Sequence, residues 1–139
     1  MSAALRSRAR RALDRLRTTP EERAHLEALR ASGLFDAGYY LRQYPDVAGT
    51  GRDPLLHYVR LGWRESRSPH PLFDASFYRA AHPAAAGDPL ADYIASGWRE
   101  GRDPHPLFVT SFYLERNPDV ARAGSNPLAH LSGGGLRSR

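Results

Sequence analysis

LFDAGYYLRQYPDV at Leu34–Val47 returns as LFDASFYRAAHPAA at Leu72–Ala85, and again as LFVTSFYLERNPDV at Leu107–Val120. A second shared block follows each: DPLLHYVRLGWRESRSPHP at Asp53–Pro71, DPLADYIASGWREGRDPHP at Asp88–Pro106, and the degraded NPLAHLSGGGLRSR at Asn126–Arg139. The copies begin 38 and 35 residues apart, a period that marks stacked supersecondary units. Catalysis needs its residues once, whereas a stacked core needs the same residues in every copy. The recurring positions therefore read first as architecture.

Each copy has the pattern of a helix–turn–helix. Asp36 fits an N-cap, with Phe35 before it placed to staple onto Tyr40. The pair Tyr39-Tyr40 recurs as Phe77-Tyr78 and Phe112-Tyr113, so one ring is expected to pack inside its unit and the other against a neighbour. The first helix should end before Pro45, Pro83 or Pro118, because the residue before proline avoids helical angles, and Pro-Asp-Val can start a short further turn. Asp53-Pro54, Asp88-Pro89 and Asn126-Pro127 are N-cap and N1 pairs opening a second helix. Its inward face would be Leu55, Tyr58, Val59 and Trp63, matched by Leu90, Tyr93, Ile94 and Trp98. Gly62 and Gly97 serve close packing or the helix end. Copy two lacks three residues at the place of Thr50–Arg52, and copy three has Val109 where the others have aspartate, with Thr110 or Ser111 as substitute caps. Gly133–Gly135 makes a poor helix end, so the last helix is expected to be short or frayed.

Ahead of the repeats, Thr19, Pro20 and Glu22 form a capping-box start for a helix from Pro20 to about Ala31, with Leu26 and Leu29 inward and Gly33 as its left-handed stop. The expected organisation is all-α: a basic helical arm at 1–19, a capping helix at 20–33, and a repeat domain at 34–139 made of units 34–71, 72–106 and 107–139.

All 20 basic residues are arginine, and there is no cysteine, which excludes disulfides and thiolate metal sites. Arg6, Arg8, Arg10, Arg11, Arg15 and Arg17 stand in the arm against Asp14, while the remaining 14 arginines are balanced by 14 acids. The net charge of +5 thus belongs to the arm. A neutral repeat body argues against nucleic acid as partner, since a nucleic-acid binder carries its basic face on the folded part. No stretch reaches the roughly 20 apolar residues of a membrane span, and arginines break every signal-peptide core. The expected location is cytoplasmic, with the arm giving weak contact to the anionic inner face of the membrane.

The repeats resemble a family of bacterial modules reading F-D-x-x-Y-Y-L-x-x-N-P-D-V followed by N-P-L-x-H-Y-x-x-x-G-x-x-E-G-R-x-P. Modules of this kind flank glycosyltransferases of surface-polysaccharide assembly and occur in secreted calcium-binding repeat proteins. The resemblance covers Leu34 to Arg139 and is tight in copies one and two. It implies a partner among glycosyltransferases or other polysaccharide-assembly proteins, and transfers no catalytic residue to this chain.

Chemistry-bearing sets were weighed against packing. Arg64, Glu65 and Arg67, repeated as Arg99, Glu100 and Arg102, could grip an anion or tie the second helix to its connector, and recurrence favours the tie. Tyr40, Trp63, Tyr78, Trp98 and Tyr113 could line a glycan face or fill a solenoid interior, and periodic apolar residues generally face inward. His57 and His130 are equivalent, but Asp92 stands between them, and His70 and His105 have no second ligand at helical spacing, which disfavours a metal. The sequence carries no phosphate loop, Gly-x-Ser-x-Gly elbow or Asp-x-Asp pair, and nothing in it calls for a cofactor. The expectation is a non-catalytic docking or scaffolding module. The alternatives are a glycan-binding module using the repeat aromatics, or a detached, non-catalytic part of a glycosyltransferase.

Overall fold

The computed structural model describes residues 17–135, together with Ala4. The chain is all-α, with nine α-helices among the described residues. The first, α1 (Pro20–Ser32), starts where Thr19 holds extended angles and its hydroxyl accepts the Glu22 N–H at 3.1 Å. It stops at Gly33, whose φ of 70° only glycine adopts without strain. Leu26 and Leu29 face inward. The Glu22 carboxylate does not close a capping box; both its oxygens go to Arg60, at 2.9 Å from Nε and 2.8 Å from Nη2.

Copy one contributes α2 (Ala37–Gln43), α3 (Pro45–Thr50) and α4 (Pro54–Arg60), followed by a 3-10 turn at Gly62–Glu65. Copy two contributes α5 (Ala75–Ala81) and α6 (Pro89–Asp92), which widens into a π-helical turn at Tyr93–Gly97. Copy three contributes α7 (Thr110–Arg116), α8 (Pro118–Ala123) and α9 (Pro127–Ala129), which widens at His130–Gly135. The second helix of each copy is therefore not the uniform α-helix expected. Its winding changes near the glycine in copies one and two, where Tyr40 and Tyr78 of the first helix approach Gly62 and Gly97. The short helix after Pro45 and Pro118 forms in copies one and three alone. In copy two the three-residue deletion falls on this segment, and the chain passes from His82 to Asp88 without a helix.

The expected caps are present at Asp36 and Asp74, which accept the Tyr39 and Phe77 N–H at 2.9 and 3.0 Å. Asp53, Asp88 and Asn126 cap the second helices in the same way. Val109 keeps the extended angles of a cap but gives no side-chain bond. Thr110 does not substitute. It is the first helical residue, fully buried, and its hydroxyl donates to the Arg102 carbonyl at 2.7 Å.

The connectors couple the copies. The Asp36 N–H donates to the Pro69 carbonyl and the Asp74 N–H to the Pro104 carbonyl, so each connector closes on the start of its own copy. One residue earlier, Ser68 Oγ accepts the Ala75 N–H and Asp103 Oδ1 accepts the Thr110 N–H, which caps the first helix of the copy that follows. A single apolar cluster runs from Leu29 through Tyr40, Tyr58, Phe73 and Tyr93 to Leu128.

Candidate functional site

The second ring of each aromatic pair crosses to the second helix and ends in a hydrogen bond. Tyr40 meets His57 Nδ1 at 2.8 Å, Tyr78 donates to the Asp92 carboxylate, and Tyr113 meets His130 Nδ1 at 2.7 Å. The alternation of His57, Asp92 and His130, which spoils a metal site, is thus one position that partners a phenol in every copy. The glycines follow from the same crossing. A Cβ on Gly62 would collide with the Tyr40 hydroxyl, and one on Gly97 with that of Tyr78. Phe35, Phe73 and Phe108 stack against the same tyrosines with ring centroids 5.2, 5.2 and 5.3 Å apart. Burial pushes the phenols of Tyr40, Tyr58, Tyr78 and Tyr93 above their ordinary range, so they stay neutral. It pushes His57 down, with the nearby Arg67 charge acting the same way.

Sequence reasoning missed a buried junction at Asp88. Its side chain is 1% exposed and receives the Tyr58 hydroxyl at 2.6 Å, the Leu90 N–H at 2.9 Å and His25 Nε2 at 2.8 Å. One carboxylate therefore joins α1, copy one and copy two. A buried charge persists only when donors replace the lost water, and three do so here. His25 and Tyr58 are 33 residues apart with no motif between them, so their meeting could not be read from spacing.

The arginine–glutamate clusters form local ties. Arg67 holds Glu65 at 2.9 Å and grips Asp46 with both terminal nitrogens at 3.0 and 2.8 Å, its guanidinium lying over Tyr44. Arg102 holds Glu100 at 3.2 Å and Asp92 at 2.7 Å. Arg64 and Arg99 are exposed and lie over the rings of Trp63 and Trp98. Tyr40 and Tyr78 are fully buried and Trp98 is 6% exposed, so none of these rings offers a face to a sugar. Trp63 and Tyr113 are half-buried. The recurring aromatics, expected to face inward, are thus divided, with three in the core and two reaching the surface.

Two grooves open on either side of Gly87. One, of about 650 Å³, is lined by Ser66, Arg79, His82, Pro83 and Ala86, beside the segment where copy two lacks its short helix. The other, of about 430 Å³, is walled by Trp63 and Arg64 on one side and by Glu21, His25 and Asp88 on the other. Arg79, which lines the larger groove, donates to the Trp63 and Arg64 carbonyls and to Ser66 Oγ.

His70 and His105 shape turns. Each Nδ1 accepts the N–H two residues on, Leu72 or Leu107, at 3.0 Å. The His70 proton must then lie on Nε2, where it faces Ser132 Oγ at 3.1 Å. Among the described residues no group of three or more His, Asp or Glu side chains is placed to hold a metal. No described helix is long and apolar enough to cross a membrane. Arg17 is exposed, while Arg6, Arg8, Arg10, Arg11 and Arg15 lie outside the described residues. No protein-family model, curated protein or solved structure matches the chain.

Proposed function

We propose that the chain is a non-catalytic helical docking module that works with a glycosyltransferase or another protein of bacterial surface-polysaccharide assembly. One observation carries the docking part: the residues that recur with chemical capacity are bonded to one another. The tyrosines meet His57, Asp92 and His130, and the arginines meet Glu65, Asp46, Glu100 and Asp92. The pair of grooves beside Gly87 is open at the surface and lies where copy two departs from the others. A partner segment laid across Gly87 would meet Arg64 and Arg79 on one side and Glu21 on the other. The link to polysaccharide assembly rests on the motif resemblance.

A second function has one observation in its favour. Trp63 shares its groove with Glu21, His25 and Arg64, an aromatic wall with polar groups of the kind that binds sugars. Two measurements separate the two. Calorimetric titration with a glycosyltransferase of surface-polysaccharide assembly should give a complex that Ala86→Arg weakens, since Ala86 is exposed in the larger groove. A glycan array should retain nothing. Retention that Trp63→Ala abolishes while the helical signal stays intact would replace docking with glycan binding.

A further inference from the structure

The larger groove beside Gly87 gathers residues that break the repeat. Arg79 stands where copies one and three carry Leu41 and Leu114, both packed against the apolar cluster, so copy two gives up a core-filling residue for a charge. Ser66 has φ 57°, whereas its equivalent in copy two is Gly101 at φ 78°. It is the one non-glycine residue with positive φ among the described residues, and backbone cost of this kind is retained mainly where function requires it. The two departures meet, because Ser66 Oγ accepts Arg79 Nη1 at 2.9 Å. The same nitrogen donates to the Trp63 and Arg64 carbonyls at 3.0 and 3.2 Å. Every one of these acceptors is neutral. Nη1 thus anchors the guanidinium, while Nε and Nη2 hold no bond among the described residues and are not sealed from water.

No ion pair among the described residues includes Arg79, whereas Arg67 and Arg102 each hold two carboxylates. The lining of the groove has no acid. Ala84 stands where copies one and three have Asp46 and Asp119, and Asp88, next to Gly87, is 1% exposed and committed to Tyr58 and His25. We infer that the groove binds a carboxylate, the side chain of an aspartate or glutamate on the partner segment, with Arg79 as counter-charge and the Ser66 hydroxyl as a further donor. This rests on docking beside Gly87 and names the chemistry of what docks there. A guanidinium edge matches a carboxylate in shape and charge. A phosphate dianion fits less well, since Arg79 is the single arginine of the lining. Ala85, Ala86 and Gly87 keep the wall low, so the main chain that bears the carboxylate has about 650 Å³ to lie in.

The test is an amide NMR titration of the isotope-labelled full chain with N-acetyl-glutamate N-methylamide, its glutamine analogue, and inorganic phosphate at matched ionic strength. The blocked glutamate is expected to shift the Arg79 Nε–H and the amides of Ala85, Ala86 and Gly87, with a Kd on the order of 10 mM for a partly exposed pair. The glutamine analogue should leave them in place. Arg79→Leu, which installs the residue of the other two copies, should abolish the amide shifts with the helical signal intact, and Arg79→Lys, which keeps the charge without the fork, should weaken them. No shift with the blocked glutamate, an equal shift with the glutamine analogue, a larger one with phosphate, or indifference to both variants would each overturn the carboxylate site. In calorimetry with the glycosyltransferase, Arg79→Leu should weaken the complex about tenfold. A complex that forms and ignores Arg79→Leu would refute this inference and leave docking standing. Glutamate-specific shifts without a glycosyltransferase complex would support the carboxylate site and refute that partner.

Discussion

Leu34 and Leu107 begin copies one and three with the same Leu-Phe phrase, yet the first is sealed and the second stands in solvent. At the first end, α1 closes the stack with a two-pronged Arg60–Glu22 pair and with His25 reaching the buried Asp88. At the other end the equivalent of Asp88 is Asn126. It still caps its helix, but its Nδ2 is buried without a partner, and Val109 itself gives α7 no side-chain bond, leaving the Asp103 carboxylate on the Thr110 N–H. The same repeat thus gives a bonded end and an under-bonded one. Part of the difference lies in the residues themselves, Val109 for Asp36 and Asn126 for Asp88, and part in α1, which packs on the first end.

The contrast is broken most severely at Asp88. Asp88→Ala removes a helix cap and strands the buried Tyr58 hydroxyl, at an expected cost of about 3 kcal/mol. Asn126→Ala at the same position of copy three loses the cap alone and should cost about 1 kcal/mol. Urea denaturation of both variants checks this, and equal losses would contradict a special junction at the first end.

The next effect concerns what copies one and two share. Gly62→Ala and Gly97→Ala drive a methyl into the Tyr40 and Tyr78 hydroxyls, and each is expected to cost about 2 kcal/mol by overpacking. Adding Tyr78→Phe to Gly97→Ala removes the colliding oxygen and should recover part of the loss. A double-mutant cycle with no coupling between the two positions would show that the glycine is needed for another reason.

A smaller change should mend the weaker end. Val109 has φ −96° and ψ 107°, close to the −91° and 104° of the capping residue Asp74. Val109→Asp therefore meets no backbone cost and should raise stability by about 1 kcal/mol. The matching Asp74→Val should lower it by a similar amount. Thermal melts of both would show whether the copies are interchangeable at this position.

The smallest expected effect is on pH. Burial lowers His57 and His70 below their ordinary value of 6.5, reinforced at His57 by Arg67 and opposed by Glu65 and Asp46, and opposed at His70 by Asp36. Between the folded and unfolded values the unfolded chain binds more protons. Their contribution to stability is therefore complete above about pH 6.5 and is lost as the pH falls through the folded values. Thermal melts from pH 7.5 down to 5.5 should show a modest fall in Tm, reduced by His57→Gln. A rise in Tm over that range would contradict the assignment.

Most of the local structure was legible in the residues. The caps at Thr19, Asp36, Asp53, Asp74 and Asp88, the helix ends before Pro45, Pro83 and Pro118, and the Phe35–Tyr40 staple all depend on groups within a few positions of each other. What escaped was non-local or depended on a single crossing. The close approach of the Tyr40 and Tyr78 hydroxyls to Gly62 and Gly97 joins two helices of a copy. The Asp88 junction needs His25 from 63 residues away. The division of the aromatic row could not be seen either, because Trp63 and Trp98 sit in matching phrases and differ in what lies over them.

The sequence by itself determined the helices, their order and the repeat that stacks them, since backbone capping and side-chain periodicity act over one or two turns. Tertiary structure alone decided which identical phrases are buried and which exposed. Exposure depends on what packs around a phrase in space: Leu34 lies inside the apolar cluster, and Leu107 stands 84% exposed.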